Sequence, residues 1–275
     1  MTTPFRWDLA RREQLGRLLT ESDESNRWWQ ADEFQLCCAR ILAYAGDRRI
    51  IFVGRSLESV FDYLSGALSG TSSADRLSLF LFSMRWETVV TPSATAAIRE
   101  YMRALKIDPG SIARSPVAFA DLVFWGETFS NLVDLLKDWC IDDGTDWQAV
   151  RRNIRIIGVT QRTKTSPKTF RWHQHREVPM PASAVKNVSL DLGMWNYLGE
   201  HQPKVTDSYH PRRWGDEDFS HPDHDKEQLK AIQEAWRIFQ DGRTREARRR
   251  LARMMTKTSG MQQEWFRHLV TEIKA

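Results

Sequence analysis

Residues 49–64 read RIIFVGRSLESVFDYL, the pattern of a short strand that runs directly into a helix. The wholly apolar run 50–53 contains three β-branched residues, which predicts a strand buried on both faces. Gly54-Arg55-Ser56 follow as a tight turn, with Ser56 as the candidate N-cap of the helix. The inner face of that helix is predicted from apolar residues at helical spacing, namely Val60, Phe61, Leu64 and Leu68. This stretch is therefore a strand–turn–helix unit.

The same unit recurs along the chain. Apolar runs at 77–82, 117–123 and 154–159 predict three further strands, and segments of helical periodicity separate them. Strands that alternate with helices indicate a mostly parallel sheet flanked by helices. The predicted fold class is therefore α/β.

Composition excludes several classes of protein. The chain has 275 residues, of which 41% are hydrophobic and 28% charged, so it can bury a core and is not globally disordered. It has no apolar run of the roughly 18 residues that a membrane helix needs. With three cysteines and no apolar leader at the start, we expect a reducing, cytoplasmic location and no membrane association.

Three regions are predicted along the chain. Residues 1–46 form an N-terminal helical segment, and residues 47–182 form the α/β domain. Residues 183–275 combine an irregular region with a helical annex. The last 50 residues hold twelve Lys or Arg against six Asp or Glu, so a basic annex of charge +6 follows a body of charge −2. The oligomeric state stays open.

Ligands of open parallel sheets bind at the turns that follow the carboxyl ends of the strands. The first such turn holds Gly54, Arg55 and Ser56. Its glycine permits close approach, its arginine is a bidentate cation, and the helix behind it offers free amides, a combination that suits a phosphate or pyrophosphate. The alternative is an ordinary tight turn with a solvated arginine.

The second turn reads ADLVFWGET over residues 120–128. It keeps Asp121, the apolar pair Leu122-Val123, Gly126 and Thr128 of a pattern in which two acids, two apolar residues and a polar pair precede Gly-any-Thr. That pattern resembles the donor-binding fingerprint of the type I phosphoribosyltransferase family, and the likeness covers roughly residues 48–160. Ala120 replaces the first acid, and Phe124-Trp125 replace the polar pair.

The resemblance implies an enzyme that binds a 5-phosphoribosyl diphosphate-type donor with Mg²⁺ and acts at the ribose anomeric carbon. Asp121 would hold the ribose hydroxyls, and Gly126, Glu127 and Thr128 would hold the 5′-phosphate. Gly54, Arg55 and Ser56 would hold the pyrophosphate, and the ligand's own oxygens would hold the magnesium. The replacements at Ala120 and Phe124 leave a second hypothesis, a catalytically degenerate regulator that binds a nucleotide or a partner.

Two other groups of polar residues remain. Arg245, Arg248, Arg249 and Arg253 share a helix face that would suit nucleic acid, although a solvated face is the interpretation we favour. His173, His175, His221 and His224 have no cysteine pair or regular spacing beside them, so we predict no protein metal site.

Overall fold

The computed structural model describes residues 4–11, 15, 27–83, 90–164, 172, 180–206, 214 and 226–275. Its centre is a five-stranded sheet in which all neighbouring strands are parallel, in the order β2-β1-β3-β4-β5. The strands are β1 (Arg49–Val53), β2 (Leu77–Phe80), β3 (Val117–Leu122), β4 (Ile154–Gln161) and β5 (Val185–Leu190). The predicted α/β class with a parallel sheet is confirmed.

The central strands form because their side chains are buried on both faces of the sheet. In β1, residues 50–53 are all fully buried, and most residues of β3 and β4 are buried as well. Helices cover both faces, and an all-parallel sheet requires this cover because neither face can meet water.

Helices precede, connect and follow the strands. They are α1 (Asp32–Ala45), α2 (Glu58–Ala67), α3 (Pro92–Ala104), α4 (Pro109–Arg114), α5 (Glu127–Asp143), α6 (Trp147–Asn153), α7 (Leu192–Asn196), α8 (Lys226–Arg243), α9 (Arg245–Met255) and α10 (Glu264–Lys274). None of the helices in the described part of the chain is long and apolar enough to cross a membrane.

The direction of each connection decides which face a helix covers. The β1-to-β2 connection runs across the sheet in the opposite direction from the later ones, so right-handed crossovers put α2 on one face and α3 and α5 on the other. Tyr63 of α2 donates to Gln35 of α1 at 2.8 Å, so these two helices share a face. On the other face, Arg99 of α3 pairs with Asp142 of α5 at 2.6 Å.

The sheet extends further along the chain than the sequence indicated. Strand β5 begins at Val185 and pairs with β4, so the α/β domain continues past the predicted boundary at residue 182. The C-terminal helices are also part of this body. The buried residues of α9 and α10 belong to the same apolar core as the sheet, and Tyr63 donates to the carbonyl of Ala247 at 3.1 Å. Most buried apolar residues of α8 form a second, smaller cluster with Leu9, Leu15 and Val205.

Candidate functional site

A cleft of about 590 Å³ opens where the carboxyl ends of β1 and β3 lie side by side. The connections after these two strands leave toward opposite edges of the sheet, which creates a crevice between them. All seven predicted donor-binding residues line this cleft, namely Gly54, Arg55, Ser56, Asp121, Gly126, Glu127 and Thr128. The structure therefore brings together two turns that lie some 70 residues apart in sequence.

The turn after β1 is tight because of Gly54. Its φ of +71° lies in the left-handed region, and its N–H donates to the carbonyl of Phe80 at 2.9 Å. A Cβ at this position would meet the carbonyl oxygen of Phe82 at 3.3 Å. Ser56 does not cap the helix as expected. Leu57 is the N-cap residue, with no side-chain hydrogen bond to the first turn of α2.

Residues 197–206, which we call the strap, lie over this turn. Gln202 Nε2 donates to the carbonyl of Ser56 at 2.7 Å, and Lys204 Nζ lies 3.4 Å from the carbonyl of Arg55. In return, Arg55 Nη1 donates to the carbonyl of Thr206 at 2.8 Å. The turn predicted to hold pyrophosphate is thus bonded to a segment that sequence analysis left as irregular.

A buried carboxylate fixes the C-terminal end of the strap. Glu58, which is 2% exposed, accepts hydrogen bonds from Val205 N at 2.9 Å and from the hydroxyl of Thr206. The other end is attached to α8, because Tyr197 donates to Glu234 Oε1 at 2.8 Å. These bonds hold the strap at both ends, so the cleft has a defined wall on this side.

Asp121 lies near the carboxyl end of β3 and lines the cleft. Its carboxyl is 7% exposed and accepts a hydrogen bond from Leu122 N at 2.7 Å. Burial raises the pKa of Asp121 well above its usual value, while the bond from Leu122 and the charge of Lys204 act in the opposite direction. Asp121 is therefore a buried carboxyl whose neutral form is favoured by burial.

Lys204 is the cation that sequence analysis missed. Its ammonium group donates to the carbonyl of Leu198 at 2.6 Å and lines the same cleft as Asp121. Burial lowers the pKa of Lys204 to about 8, and the acids Glu58 and Asp121 act in the opposite direction. No local sequence pattern marked this lysine, because Asp121, Glu58 and Arg55, which surround it in the structure, lie more than 80 residues away in sequence.

The start of α5 supplies backbone donors to the cleft. Gly126 is the N-cap residue, with φ of +85° and no side-chain cap, and the first bond of the helix runs from Ser130 N to the Gly126 carbonyl at 3.0 Å. The amides of Glu127, Thr128 and Phe129 precede that bond and have no acceptor within the helix. Together with the helix dipole, they favour an anion at this end of the cleft.

The space beside Gly126 is occupied by an aromatic ring. A Cβ on Gly126 would overlap the indole of Trp172, and a Cβ on Gly158 would lie 2.9 Å from Cζ2 of the same ring. The Trp172 indole, 2% exposed, donates to Asn187 Oδ1 at 2.9 Å. Glycine at 126 is thus required by this packing, whereas the sequence suggested close approach of a phosphate.

Aromatic side chains form another wall of the cleft. Phe124 and Trp125 lie edge to face, with ring centroids 5.1 Å apart, and Trp195 lies 6.0 Å from Phe124. Sequence analysis treated Phe124 and Trp125 only as departures from a fingerprint. The sequence contained one indication of these aromatic residues' role, because two large aromatics directly follow a buried strand where the chain turns toward solvent.

Ala120 lies in the sheet interior and is completely buried. It pairs with Phe52 of β1 and with Ile157 of β4. An acid at this position would be surrounded by apolar strands, so its replacement by alanine matches its environment.

The four arginines of the basic stripe have different surroundings. Arg245, Arg249 and Arg253 are exposed on α9, whereas Arg248 is half-buried and donates to the carbonyl of Ser69 after α2. Arg248 therefore attaches the C-terminal helices to the body, and only three of the four side chains face solvent.

No group of three or more His, Cys, Asp or Glu side chains that would hold a metal ion lies among the residues that the structure describes. His173, His175, His221 and His224 lie outside them. In comparisons with known proteins, no family model, no curated protein and no solved structure matches this chain.

Proposed function

We propose that the cleft binds a phosphorylated ribose of the 5-phosphoribosyl diphosphate or nucleotide type, and that the protein acts at the anomeric carbon of this ligand. The observation that carries the proposal is the convergence on one cleft of a buried carboxyl, an uncapped helix N-terminus and a glycine turn beside a lysine. These are the three parts that such a ligand needs. The two turns, side by side at the ends of β1 and β3, support a phosphoribosyltransferase-like site.

Each part has a chemical role in the proposal. The backbone amides at the start of α5, with the Thr128 hydroxyl, bind the 5′-phosphate. Asp121 accepts hydrogen bonds from the ribose hydroxyls, and the charge of Lys204 favours its ionised form. Lys204 and Arg55, which both line the cleft, provide the cations for the pyrophosphate.

Magnesium has no protein cage in this proposal. The described residues offer no cluster of metal ligands, so Mg²⁺ enters with the phosphate oxygens of the ligand. No step of the proposal depends on a protein–metal bond.

Thermal unfolding with and without ligand tests the binding. We expect 5-phosphoribosyl diphosphate with Mg²⁺ to raise the Tm of the wild type, since a ligand that binds only the folded state stabilises it. Asp121→Asn, which keeps an acceptor for Leu122 N, should weaken binding by at least about tenfold through loss of a charge-assisted bond. Thr128→Val serves as a second probe at the phosphate end. The absence of a Tm shift at millimolar donor would overturn the proposal.

One observation favours a second candidate, a ligand-binding regulator without turnover. The side chain of Phe124 is 41% exposed at the cleft, where the phosphoribosyltransferase pattern has an acid, and phenylalanine cannot transfer a proton. Release of pyrophosphate from the donor, assayed with a panel of nitrogenous bases, separates the two. Release supports the enzyme, whereas a Tm shift without release supports the regulator.

A further inference from the structure

Phe124, Trp125 and Trp195, which we call the aromatic wall, line the cleft, and two of these side chains are unusually exposed to solvent. In the part of the chain that the structure describes, the large hydrophobic side chains classed as exposed are Phe124, Trp125, Ile141 and Leu192. Phe124 is 41% exposed and Trp125 is 48% exposed, and they are adjacent in the chain and line the same cleft. Exposed apolar side chains that cluster at one place mark a binding surface more often than scattered ones do.

The wall is held in place from behind. Trp195, which is 9% exposed, donates its indole N–H to the carbonyl of Val159 at 3.3 Å at the end of β4. Phe124 packs against Trp195 on one side and against the edge of Trp125 on the other. The wall therefore joins two rings that reach solvent to a third that is anchored to the sheet.

The wall is also continuous with the anion end of the cleft. Phe124 and Trp125 directly precede Gly126, so the aromatic rings and the first backbone amides of α5 belong to one turn. A cleft of about 590 Å³ is within the usual size range for small-molecule sites. A ligand that satisfies both ends carries a phosphate and a planar apolar ring.

We infer that Phe124, Trp125 and Trp195 form a subsite for the nucleobase of the ligand, so that the cleft selects a nucleotide over a sugar phosphate without a base. This inference rests on the proposed function, because the phosphate end is taken from it. Stacking on aromatic side chains suits any base, since every base has a π-face. A bare sugar phosphate offers nothing that would cover these rings.

Calorimetric titration of the full chain with a set of ligands tests the inference. The ligands are ribose 5-phosphate, adenosine 5′-monophosphate, uridine 5′-monophosphate and adenosine. We expect the nucleotides to bind at least about tenfold more tightly than ribose 5-phosphate. Trp125→Ala and Phe124→Ala should each weaken nucleotide binding roughly 5- to 150-fold, the range measured for loss of one stacked base. Neither change should alter the affinity for ribose 5-phosphate.

Matched variants isolate the role of the ring. Trp125→Phe keeps an aromatic face and should restore most of the nucleotide affinity. Ile141→Ala removes an exposed apolar side chain from α5 on a residue that does not line the cleft, and it should change nothing. Circular dichroism and the molecular mass in solution are measured for each variant, so that misfolding or a change in assembly is seen directly.

The outcomes separate the inference from the proposed function. Equal affinities for ribose 5-phosphate and the nucleotides, unchanged in Trp125→Ala, would overturn the inference and leave the proposed function standing. Binding of adenosine that depends on Trp125, with no contribution from phosphate, would support the inference and overturn the proposed function. A dimer that Trp125→Ala dissociates without any change in nucleotide affinity would assign the wall to a second copy of the chain and overturn the inference.

Discussion

Gly66 of α2 and Gly242 of α8 lie face to face, and their helices touch backbone to backbone. A Cβ on Gly242 would lie 3.1 Å from Ala67 N and 3.4 Å from Gly66 Cα, and a Cβ on Gly66 would lie 3.0 Å from the carbonyl carbon of Phe239. Such a close approach leaves no room for any side chain. The first of the C-terminal helices is thus joined to the helix that follows the candidate phosphate turn.

We predict that Gly242→Ala destabilises the protein. The added methyl must move one helix away from the other, and overpacking of this kind costs about 1–3 kcal/mol, more than the gain in helix propensity. Urea denaturation measures the change in the free energy of unfolding. The control is Gly110→Ala in α4, where the nearest atom, Asp108 Oδ1, is 3.4 Å away, so that variant should be neutral or slightly stabilising. Equal urea midpoints for Gly242→Ala and the wild type would contradict the close contact between α2 and α8.

Gly126→Ala should cost more stability than Gly144→Ala, although both residues flank α5 and both have positive φ. A Cβ on Gly144 would meet nothing within 4 Å, whereas one on Gly126 would overlap the Trp172 ring. The backbone strain is shared, so the difference in the free energy of unfolding, about 1–3 kcal/mol, reports the ring contact. An equal decrease in the free energy of unfolding in the two variants would show that the Trp172 ring moves aside to accommodate the added methyl group. Loss of ligand binding in Gly126→Ala is thus no test of a phosphate contact, and Thr128→Val is the better probe.

Ligand affinity should decrease with pH as Lys204 loses its proton. The pKa of Lys204 is lowered to about 8 by burial, so the charged fraction decreases between pH 7 and 9. If the ammonium group binds phosphate, affinity should fall by up to about tenfold per pH unit above 8. Phosphate monoesters are already doubly ionised in this range, since their second pKa is about 6. In the free protein, pH has the opposite effect on stability. The folded state holds fewer protons than the unfolded state between pH 8 and 10.5, so the free energy of unfolding rises with pH there.

Calorimetric titration of wild type, Lys204→Arg and Lys204→Met from pH 7 to 9.5 measures this effect. Arginine stays charged, so its variant should bind with little pH dependence, and the methionine variant should bind weakly at every pH. The charged side chains around Lys204 are those of Glu58, Arg55, Asp121 and Glu200. A pH dependence that persists in Lys204→Arg would show that a group other than Lys204 is responsible for it.

The sequence predicted the parts of the fold that rest on local pattern. Strands buried on both faces, such as residues 50–53, are continuous apolar runs, and the rule that ligands bind at the carboxyl ends of parallel strands led to the turns at Gly54 and Asp121. Strand β5 was missed because it lies at the edge of the sheet and reads VKNVSL, in which polar residues interrupt the apolar ones. Edge strands carry this weaker pattern because part of their surface meets solvent.

The missed part of the site depends on contacts that are distant in sequence. Lys204 lies near Asp121 and Arg55 only because Glu58 and Tyr197 hold the strap across the β1 turn. No periodicity records a segment that is held by side-chain hydrogen bonds to residues about 140 positions earlier. The packing role of Gly126 was likewise missed, because the ring that fills its space comes from Trp172, in a region with no readable pattern.

The last prediction separates the arginines of α9. Arg248→Gln should lower the free energy of unfolding by about 1–2 kcal/mol, because it removes a charged donor from the Ser69 carbonyl. The triple change of Arg245, Arg249 and Arg253 to Gln should stay within about 0.5 kcal/mol of the wild type, since these side chains face solvent. On a solvated face, neither single-stranded DNA nor RNA is retained at low salt. Retention of nucleic acid by the wild type would contradict the solvated face if it depended on these arginines. In that case each lost arginine would reduce the slope of log affinity against log salt concentration by nearly one unit, as release of counterions from phosphate requires. The triple variant is the proper test of nucleic-acid binding, because a quadruple change that includes Arg248 would also loosen the C-terminal helices.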